Sequence, residues 1–452
     1  MGHIEKPGRE VNYQEALDFL TDLTKFGCNP GLDRIQYLMS LLGNPERSLR
    51  VIHVGGTNGK GSIAMMTARI LEEAGYRVGF FISPHLHSYT ERYLINHQPI
   101  AEERFAALME RLKPLLEKMV AEGHEHPTEF EVCTALGLLY FFEEKVDFLV
   151  LEVGMGGAID STNVVENPLV SVISNVTFDH MDYLGKTIAE IASVKAGIIK
   201  KGGHVVTAAW YPEALQVIRE HCREKGASLL EVGKEIQWEL KDATPTRTLF
   251  NLRTPWGVYQ DLWVPLAGQY QAVNAATALG VIEFLRHDHK IPITDAHIRA
   301  GFAQSYWPAR LELLHQNPMV IIDVSHNHDG ARTLSAALKE IYHYRRLILV
   351  LGMLGDKERE KVVAELAPLA SMVIITKPLN PRAGDWKALA DEARKYVDRV
   401  LVIEEICDAV TAALNEAQGD DMICITGSFY MVADARNFLL EKFSPAEKRL
   451  MS

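Results

Sequence analysis

The 452-residue chain lacks the features that would place it in a membrane, on a nucleic acid or in an oxidising compartment. No uninterrupted apolar stretch is long enough to span a bilayer, and the N-terminal segment is polar, without the apolar core of a signal peptide. The net charge of −12 argues against general nucleic-acid binding, so an anionic substrate would need local basic pockets. The five cysteines are scattered without the paired spacing of a metal site, which favours reduced thiols in a cytoplasmic protein.

Short apolar segments alternate with amphipathic helical patterns along most of the chain, which predicts parallel α/β sheets. The strands predicted in the first part are residues 51–54, 78–82, 148–153, 170–174 and 204–208. Residues 234–264 have a different pattern, which indicates antiparallel strands at the edge of the first domain. Beyond Pro308 the alternation restarts, with strands predicted at residues 319–324, 347–351, 372–376, 400–403 and 422–426.

The segment GGTNGKGS, residues 55–62, lies between a predicted strand and a predicted helix, which is the layout of a phosphate-binding loop. Glycines let backbone N–H groups approach phosphate oxygens, and the helix N-terminus adds partial positive charge. The residues expected to contact a nucleoside triphosphate are Gly56, Thr57, Asn58, Gly59, Lys60, Gly61 and Ser62. Gly61 stands where the strict pattern has a Mg²⁺-binding Ser or Thr, so Ser62 or another hydroxyl would have to replace it. The alternative interpretation is a bare turn with a chance lysine.

These patterns together predict an α/β protein of two domains. An N-terminal phosphate-loop, parallel-sheet ATPase domain would cover residues 1–305, and a smaller C-terminal Rossmann-like α/β domain would cover residues 306–452. Two such domains would place an active site in the cleft between them.

Polar side chains follow several predicted strands at the edge where open α/β sheets bind their ligands. Glu152 ends one strand and is a candidate Mg²⁺ ligand, although a strand-end acid facing solvent is the alternative. Asp179 and His180 follow the next strand and would form a small metal cluster with Glu152 if the strands are neighbours. Asp323 and His326 follow a strand of the second domain in the same way.

The motifs in chain order resemble the folylpolyglutamate synthases, a branch of the Mur ligase superfamily that often doubles as dihydrofolate synthase. The matching segments are GLDRI (31–35), HVGGTNGKGS (53–62), SPHL (83–86), ERYLIN (91–96), LEVGMGG (151–157), DSTN (160–163), DH (179–180), KAGIIK (195–200), GQYQAVNAATAL (268–279), WPARLE (307–312) and TGSFY (426–430). The resemblance implies a ligase that phosphorylates a substrate carboxylate with ATP and joins the acyl phosphate to the amine of L-glutamate.

The resemblance also implies roles for individual residues. Lys60 would contact the β- and γ-phosphates, Ser83 would supply the hydroxyl ligand of the first Mg²⁺, Glu152 would hold or bridge the metal ions, and His180 would hold the second. Lys195 would be the lysine that family members carbamylate with CO₂, and as a carbamate it could bind or orient Mg²⁺. Spacing alone predicts instead that Lys195 is a solvated lysine on a helix.

Further roles concern the nucleotide and the second substrate. Asn274 and Arg310 resemble nucleotide contacts, and Asp323 and His326 resemble residues that close on ATP and the incoming glutamate. The region from residue 83 to 96 offers rings and cations that could stack on a pterin and pair with anionic groups, and the substrate-binding candidates are His85, Arg92 and Tyr93. The alternative is that these side chains are simply packing of a helix–loop unit.

The chain departs from the family pattern at three places. Ala158 stands where an arginine is usual before Asp-x-Thr-Asn, Val324-Ser325 replaces Gly-Ala before the histidine, and Ala309 replaces the glycine before Arg310. The rival functions are therefore a Mur-type ligase acting on another carboxylic acid, a phosphate-loop NTPase or phosphotransferase with no amide product, and a nucleotide-binding protein without catalysis.

The expected cofactors are ATP and Mg²⁺, and the expected substrates are L-glutamate and a folate or dihydropteroate. A monomer without nucleic-acid or membrane partners is expected.

Overall fold

The computed structural model of the protein describes residues 12–443, which form two compact units. The first unit contains residues up to Val176 together with His180–Glu231 and Gly280–His297. The second contains Thr177–Asp179, Val232–Leu279 and the chain from Ile298 onward. These units cross the predicted division after residue 305, because residues 232–279 group with the later part of the chain. As a statement about independently folding domains, the 1–305 and 306–452 assignment stays a prediction.

Within the described residues, the first unit is built on a mixed sheet of eight strands in the order β4-β3-β2-β5-β1-β6-β7-β8. The strands are β1 Val51–Gly55, β2 Val78–Phe81, β3 Tyr93–Ile95, β4 Gln98–Pro99, β5 Phe148–Glu152, β6 Val170–Ile173, β7 His204–Thr207 and β8 Ser228–Glu231. All pairings from β2 to β8 are parallel, whereas β3 and β4 pair antiparallel at one edge. This confirms the five strands predicted in this part of the chain.

Eight helices described in this part of the chain precede β1 or lie between the strands in sequence. They are α1 Tyr13–Asp22, α2 Asp33–Leu41, α3 Lys60–Glu73, α4 Glu102–Ala121, α5 Glu129–Glu143, α6 Met181–Leu184, α7 Ile188–Ala196 and α8 Pro212–Lys225. Short 3₁₀ turns are found at Leu23–Phe26, Pro45–Ser48, Tyr89–Arg92 and Ser161–Val164.

The central strands of this sheet are buried along their whole length, as expected for parallel strands covered by helices on both faces. One apolar cluster joins the sheet to α1, α2, α4 and α5, and another joins it to α7 and α8. In the register of β1 and β5, His53 lies opposite Leu151 and Val54 lies opposite Glu152. The end of β1 that leads into the GGTNGKGS segment is therefore next to the end of β5 that carries Glu152.

The second unit contains two separate sheets among the described residues. The strands of the antiparallel sheet are β9 Gln237–Thr244, β10 Arg247–Arg253 and β11 Val258–Val264. The second sheet has the order β12-β13-β17-β14-β15-β16 and consists of β12 Glu312–Gln316, β13 Met319–Ile322, β14 Leu347–Leu351, β15 Met372–Ile375, β16 Val400–Val402 and β17 Met422–Thr426. All of its pairings are parallel except that of β12 with β13.

The helices of the later part of the chain complete this α/β arrangement. They are α9 Tyr270–His287, α10 Asp295–Ala303, α11 His328–Glu340, α12 Arg359–Leu366, α13 Ala388–Ala393, α14 Ile406–Glu416 and α15 Phe429–Lys442, with 3₁₀ turns at Ala367–Leu369 and Pro381–Ala383. The predicted α/β class and the Rossmann-like alternation are confirmed.

The prediction of antiparallel strands within residues 234–264 is confirmed. Strands β9 to β11 form a sheet of their own and group with the second unit, so their place at the edge of the first domain stays a prediction. Packing explains this grouping, because Phe250 of β10 stacks edge-on against Phe302 of α10 and Arg299 donates a hydrogen bond to the carbonyl of Gln260.

Within residues 12–443, no helix combines the length and the apolar character needed to cross a membrane.

Candidate active site

The phosphate loop of the first unit has the predicted strand–loop–helix form. Strand β1 ends at Gly55, and α3 begins at Lys60 with an open N-terminus. Gly56 and Gly59 have positive φ angles of 128° and 86°, which favour glycine. Lys60 Nζ donates to the carbonyl of Thr57 at 3.1 Å, so the cation is held over the loop. This geometry presents backbone N–H groups and a lysine in the way that phosphate binding requires.

Residues at the end of β6 hold the phosphate loop in shape. Asn175 accepts hydrogen bonds from the N–H of Thr57 through its carbonyl at 2.8 Å and from the N–H of Asn58 through Oδ1 at 2.7 Å. The Ser174 hydroxyl donates to the carbonyl of Asn58 at 2.7 Å. These supporting residues were not singled out by sequence, although polar residues directly after an apolar strand are the signal that marks them.

Lys195 lies in the last turn of α7 and is buried, with 3% of its surface exposed. Its Nζ donates to the carbonyl of Gly56 at 2.8 Å, which brings the side chain to the phosphate loop. The interpretation as a solvated helix lysine is therefore wrong. Spacing along α7 could not reveal this, because the partner is 139 residues away in sequence.

The glycine-rich segment after β5 fixes the end of α7 that carries Lys195. The N–H of Ala158 donates to the carbonyl of Val194 at 2.8 Å. A β-carbon on Gly157 would lie 2.7 Å from the carbonyl oxygens of both Val194 and Lys195, so only glycine fits there. Ala158, which stands at the usual arginine position, packs against Gly197.

Glu152 and Ser83 lie together at the carboxyl end of the central strands. Glu152 is 6% exposed, which excludes the alternative of an acid facing solvent, and its Oε2 accepts a hydrogen bond from the N–H of Ser83 at 3.3 Å. Ser83 Oγ is buried and has no hydrogen-bond partner among the described residues. An unpartnered hydroxyl beside a buried carboxylate is the oxygen donor set that Mg²⁺ prefers, so these two residues fit the predicted metal ion.

Asp179 and His180 do not form the predicted cluster with Glu152. Within residues 12–443, no three His, Cys, Asp or Glu side chains are close enough together to hold a metal ion. Asp179 groups with the second unit and is paired there with Lys357, with 2.7 Å between Lys357 Nζ and Asp179 Oδ1. His180 groups with the first unit, directly before α6 and with a φ of 49°, and its metal role stays a prediction.

Arg92 and Tyr93 are buried, and their contact with a substrate stays a prediction. Arg92 forms an ion pair with Glu129 at 3.1 Å, and its guanidinium lies 4.7 Å from the centre of the Tyr89 ring. Tyr93 is fully buried and donates to the carbonyl of Cys133 at 3.2 Å. Both side chains therefore stabilise the loop from inside.

His85 is the member of this set that remains partly exposed. Arg92 Nε donates to His85 Nδ1 at 3.0 Å, so the imidazole proton resides on Nε2. Burial, the neighbouring Arg92 guanidinium and His87 lower the pKa of His85 to about 3. The ring is therefore a neutral hydrogen-bond donor, and its contact with substrate stays a prediction.

The predicted residues of the second unit are mostly engaged in local hydrogen bonds. Asp323 is 4% exposed and accepts from the N–H of Leu311 at 3.0 Å and of Ser325 at 2.8 Å. His326 Nδ1 donates to the carbonyl of Val324 at 3.0 Å, and its Nε2 lies 3.6 Å from Asp179 Oδ2. Asp323 is thereby fixed at the end of β13.

The two predicted nucleotide contacts of the second unit are held in different ways. Asn274 Nδ2 donates to Gln271 Oε1 at 2.9 Å on α9. The Arg310 guanidinium lies 5.3 Å from the centre of the Phe429 ring. Both side chains are therefore fixed by their own unit, and their nucleotide contacts stay predictions.

A phosphate-loop α/β unit with a buried lysine at its loop, followed by a smaller parallel α/β sheet, defines the class of the Mur-type ATP-dependent ligases. Two family models match in that order: the Mur ligase middle domain at residues 54–282 and the Mur ligase glutamate ligase domain at residues 309–429. The chain belongs to the folylpolyglutamate synthase/dihydrofolate synthase family of these ligases, as its motifs predicted.

Relatives and solved structures support this membership over the full length. A Bacillus subtilis dihydrofolate synthase/folylpolyglutamate synthase is 38% identical over 94% of this chain and 99% of the relative. The folylpolyglutamate synthase structure from Thermotoga maritima is 36% identical, with a TM-score of 0.82 over 97% of this chain and 99% of that one. The Mycobacterium tuberculosis folylpolyglutamate synthase complexed with ADP and AMPPCP is 34% identical, with a TM-score of 0.87 over 95% of this chain and 99% of that one.

Proposed function

We propose that this protein is an ATP-dependent ligase that adds L-glutamate to folates and also forms dihydrofolate from dihydropteroate and glutamate. The observation that carries the proposal is the buried Lys195 held against the carbonyl of Gly56 in a loop that also carries Lys60. A simple phosphate-binding loop does not need a second, buried lysine at its second glycine. Full-length similarity to enzymes named for these two reactions supports the choice of substrates.

The two proposed reactions share one chemistry, which has two steps. A carboxylate oxygen of the acid attacks the γ-phosphorus of ATP, which gives an acyl phosphate and releases ADP. The α-amine of glutamate then attacks the acyl carbon, phosphate leaves, the amine loses a proton, and an amide bond remains. Carboxylate itself is a poor acyl donor because oxide is a poor leaving group, and phosphorylation removes that barrier.

The contribution of the protein is positioning and charge neutralisation. Lys60 and the N-terminus of α3 place positive charge beside the β- and γ-phosphates. Ser83 and Glu152 are the residues that would hold Mg²⁺ in the first unit, with His180 proposed for a second ion. Magnesium, when bound, neutralises phosphate charge during transfer.

Carbamylation of Lys195 is compatible with the observed contact. A carbamate forms when the neutral amine attacks CO₂ and loses a proton, and the nitrogen keeps one N–H. That N–H could still donate to the carbonyl of Gly56, while the new carboxylate would supply the negative charge that a metal ion or an adjacent cation requires. Lys195 would then position the phosphate loop and act in the metal site at once.

The test is ATP turnover across a panel of acids and amines, with the products identified by mass. The expected result is ADP release that requires both glutamate and either dihydropteroate or a reduced folate. ADP release without an amide product would indicate an NTPase or phosphotransferase. Turnover only with an unrelated acid would indicate another Mur-type ligase, and the Ala158 replacement would then become the main clue to its substrate. A monomeric, cytoplasmic enzyme remains our prediction from the sequence.

A further inference from the structure

A line of buried hydrogen bonds connects β1 to the glycine-rich loop that follows β5. His53 lies in the middle of β1 and is fully buried, and its Nε2 is 2.8 Å from Thr162 Oγ1. Thr162 is also fully buried, and its Oγ1 is 2.5 Å from Asp160 Oδ1. None of the roles described above uses this line of three side chains.

The proton positions along this line follow from what each group can donate. Asp160 accepts at Oδ2 from the N–H of Met155 at 2.7 Å and at Oδ1 from the N–H of Thr162 at 3.0 Å. Burial raises the pKa of the Asp160 carboxyl, and the hydrogen bonds from Thr162, Met155 and Gly154 counteract that rise. Because both carboxylate oxygens already accept hydrogen bonds, the single hydroxyl proton of Thr162 goes to Asp160. Thr162 Oγ1 must then accept from His53, so the histidine proton resides on Nε2.

The other nitrogen of His53 has no comparable use. Nδ1 is buried and has no hydrogen-bond partner in the part of the chain that the structure describes. A bare buried acceptor destabilises the fold, whereas an apolar residue of similar size would fill the same space without that loss. The ring is neutral, because burial and the nearby Lys200 lower its pKa to about 3. The hydrogen bond from Nε2 to Thr162 is thus the interaction that distinguishes histidine from an apolar residue here.

Asp160 closes the loop on which the site depends. This loop begins directly after Glu152. The Asp160 carboxylate accepts a hydrogen bond from the N–H of Met155, near the start of the loop. At the far side of the loop, Ala158 holds the end of α7 that carries Lys195. His53 itself lies three residues before Gly56, whose carbonyl accepts from Lys195.

We propose that His53 is a positioning residue, whose Nε2–H holds Thr162 and, through it, Asp160. These contacts keep the glycine-rich loop that follows Glu152, and that holds the end of α7 with Lys195, in place relative to the phosphate loop. For its activity readout the proposal rests on the function proposed above. His53 would contact neither ATP nor the acid. It would act through two other residues, and its loss should impair the chemical step more than nucleotide binding.

The first test compares substitutions that keep or remove the donor. His53→Gln keeps an N–H at the place of Nε2, whereas His53→Asn does not reach it. We expect kcat to fall about tenfold to a hundredfold in His53→Asn and in Thr162→Val, with the KM for ATP changing less than about threefold. His53→Gln and Thr162→Ser should stay within about threefold of the parent enzyme. Thr67→Val is the matched control, because Thr67 is an equally buried threonine whose hydroxyl donates to the carbonyl of Ile63 on α3.

The second test measures coupling within the line. If His53 acts through Thr162, the double variant His53→Asn/Thr162→Val should lose no more kcat than the more impaired single variant. Independent losses that multiply would overturn the proposal. So would a His53→Gln enzyme as impaired as His53→Asn, or a loss in Thr67→Val equal to that in Thr162→Val.

The third test reads the histidine itself and does not depend on turnover. In protein labelled with ¹⁵N-histidine, the resonance that disappears in His53→Gln should show a protonated Nε2 and a bare Nδ1 at neutral pH. A proton on Nδ1 would overturn the proposal. If the parent enzyme does not ligate glutamate, the proposed function fails. The role of His53 is then still tested by the tautomer and by the same double-variant comparison made with the free energy of unfolding.

Discussion

Replacing Gly56 by alanine should damage the phosphate loop through two separate effects. Gly56 has a φ of 128°, a conformation that L-residues rarely adopt. Its new β-carbon would also lie 1.9 Å from Ser174 Oγ and 2.8 Å from the backbone nitrogen of Ser174. Rotation of the Ser174 side chain about χ1 would move Oγ away and relieve the first contact, but it would break the hydrogen bond from Ser174 to the carbonyl of Asn58. The contact with backbone nitrogen would remain.

The size of the effect can be worked out from these contacts. The strained φ costs about 1–3 kcal/mol, and overpacking against Ser174 costs about the same again. To bring the β-carbon to a normal distance from the nitrogen, the loop has to move by about half an ångström. Such a displacement at phosphate-contacting groups lowers the rate by about tenfold to a hundredfold. We therefore expect Gly56→Ala to lose about 2–6 kcal/mol of stability and to lower kcat/KM for ATP about tenfold to a hundredfold.

Gly226→Ala is the matched control for backbone strain alone. Gly226 caps α8 with a φ of 60°, and an added β-carbon there has no atom within 4 Å. Urea unfolding should show a loss of about 1 kcal/mol with kcat unchanged. Adding Ser174→Ala to Gly56→Ala should recover only part of the stability, because the backbone contact persists. A Gly56→Ala enzyme as stable and as active as the Gly226→Ala control would refute this reasoning.

Four further outcomes are expected. Lys60→Ala should lower kcat about a hundredfold, a loss of about 3 kcal/mol of transition-state stabilisation, since a cation beside the phosphates is lost. Near-normal turnover would exclude Lys60 as a phosphate contact. Lys195→Ala should abolish ligation while the unfolding transition persists, and a short carboxylic acid should restore part of the activity; an unmodified ammonium in a high-resolution map with ATP and Mg²⁺ would count against the carbamate. Arg92→Leu should cost about 3 kcal/mol in urea unfolding, because its partly buried carboxylate partner, Glu129, loses its counter-charge; an unchanged midpoint would contradict the ion pair. Asp421→Asn should be less stable than the parent at neutral pH, and the difference in unfolding free energy should vanish between about pH 4 and pH 2. Hydrogen bonds from the neighbouring Arg346 guanidinium lower the pKa of the Asp421 carboxyl to about 2, so its stabilisation is lost as the pH falls through that value. A difference that stays constant with pH would contradict this prediction.

The central strands and the phosphate loop could be predicted from sequence because their signals are local. Buried parallel strands are continuous apolar runs, and glycines beside a lysine mark a loop of special backbone conformation. Strand β12, by contrast, has the residues ELLHQ and only partial burial, so its pattern is indistinct. The two-residue strand β4 is exposed and is defined only by its pairing with β3.

The burial of site residues could not be predicted, because it depends on partners far away in sequence. Lys195 is fixed by a carbonyl 139 residues away, and Arg92 is paired with a carboxylate 37 residues away. Family resemblance indicated a role for Lys195 that spacing on its helix denied. The burial of Arg92 had no signal in the sequence, since an arginine among aromatic residues can form a buried cluster as well as a binding surface.

The composition of the first unit has a consequence for how the protein is synthesised. Its sheet is complete in sequence at Glu231, yet residues 280–297 belong to the same unit and arrive only after another 48 residues have been made. The late segment places Phe284 4.6 Å from the ring of His204, and it places His289 within 3.1 Å of the carbonyl of Leu169. A nascent chain on the ribosome must therefore keep part of the sheet uncovered during translation of the antiparallel strands. Chaperone capture and premature proteolysis should be concentrated in that interval, and they should end when His297 has left the exit tunnel.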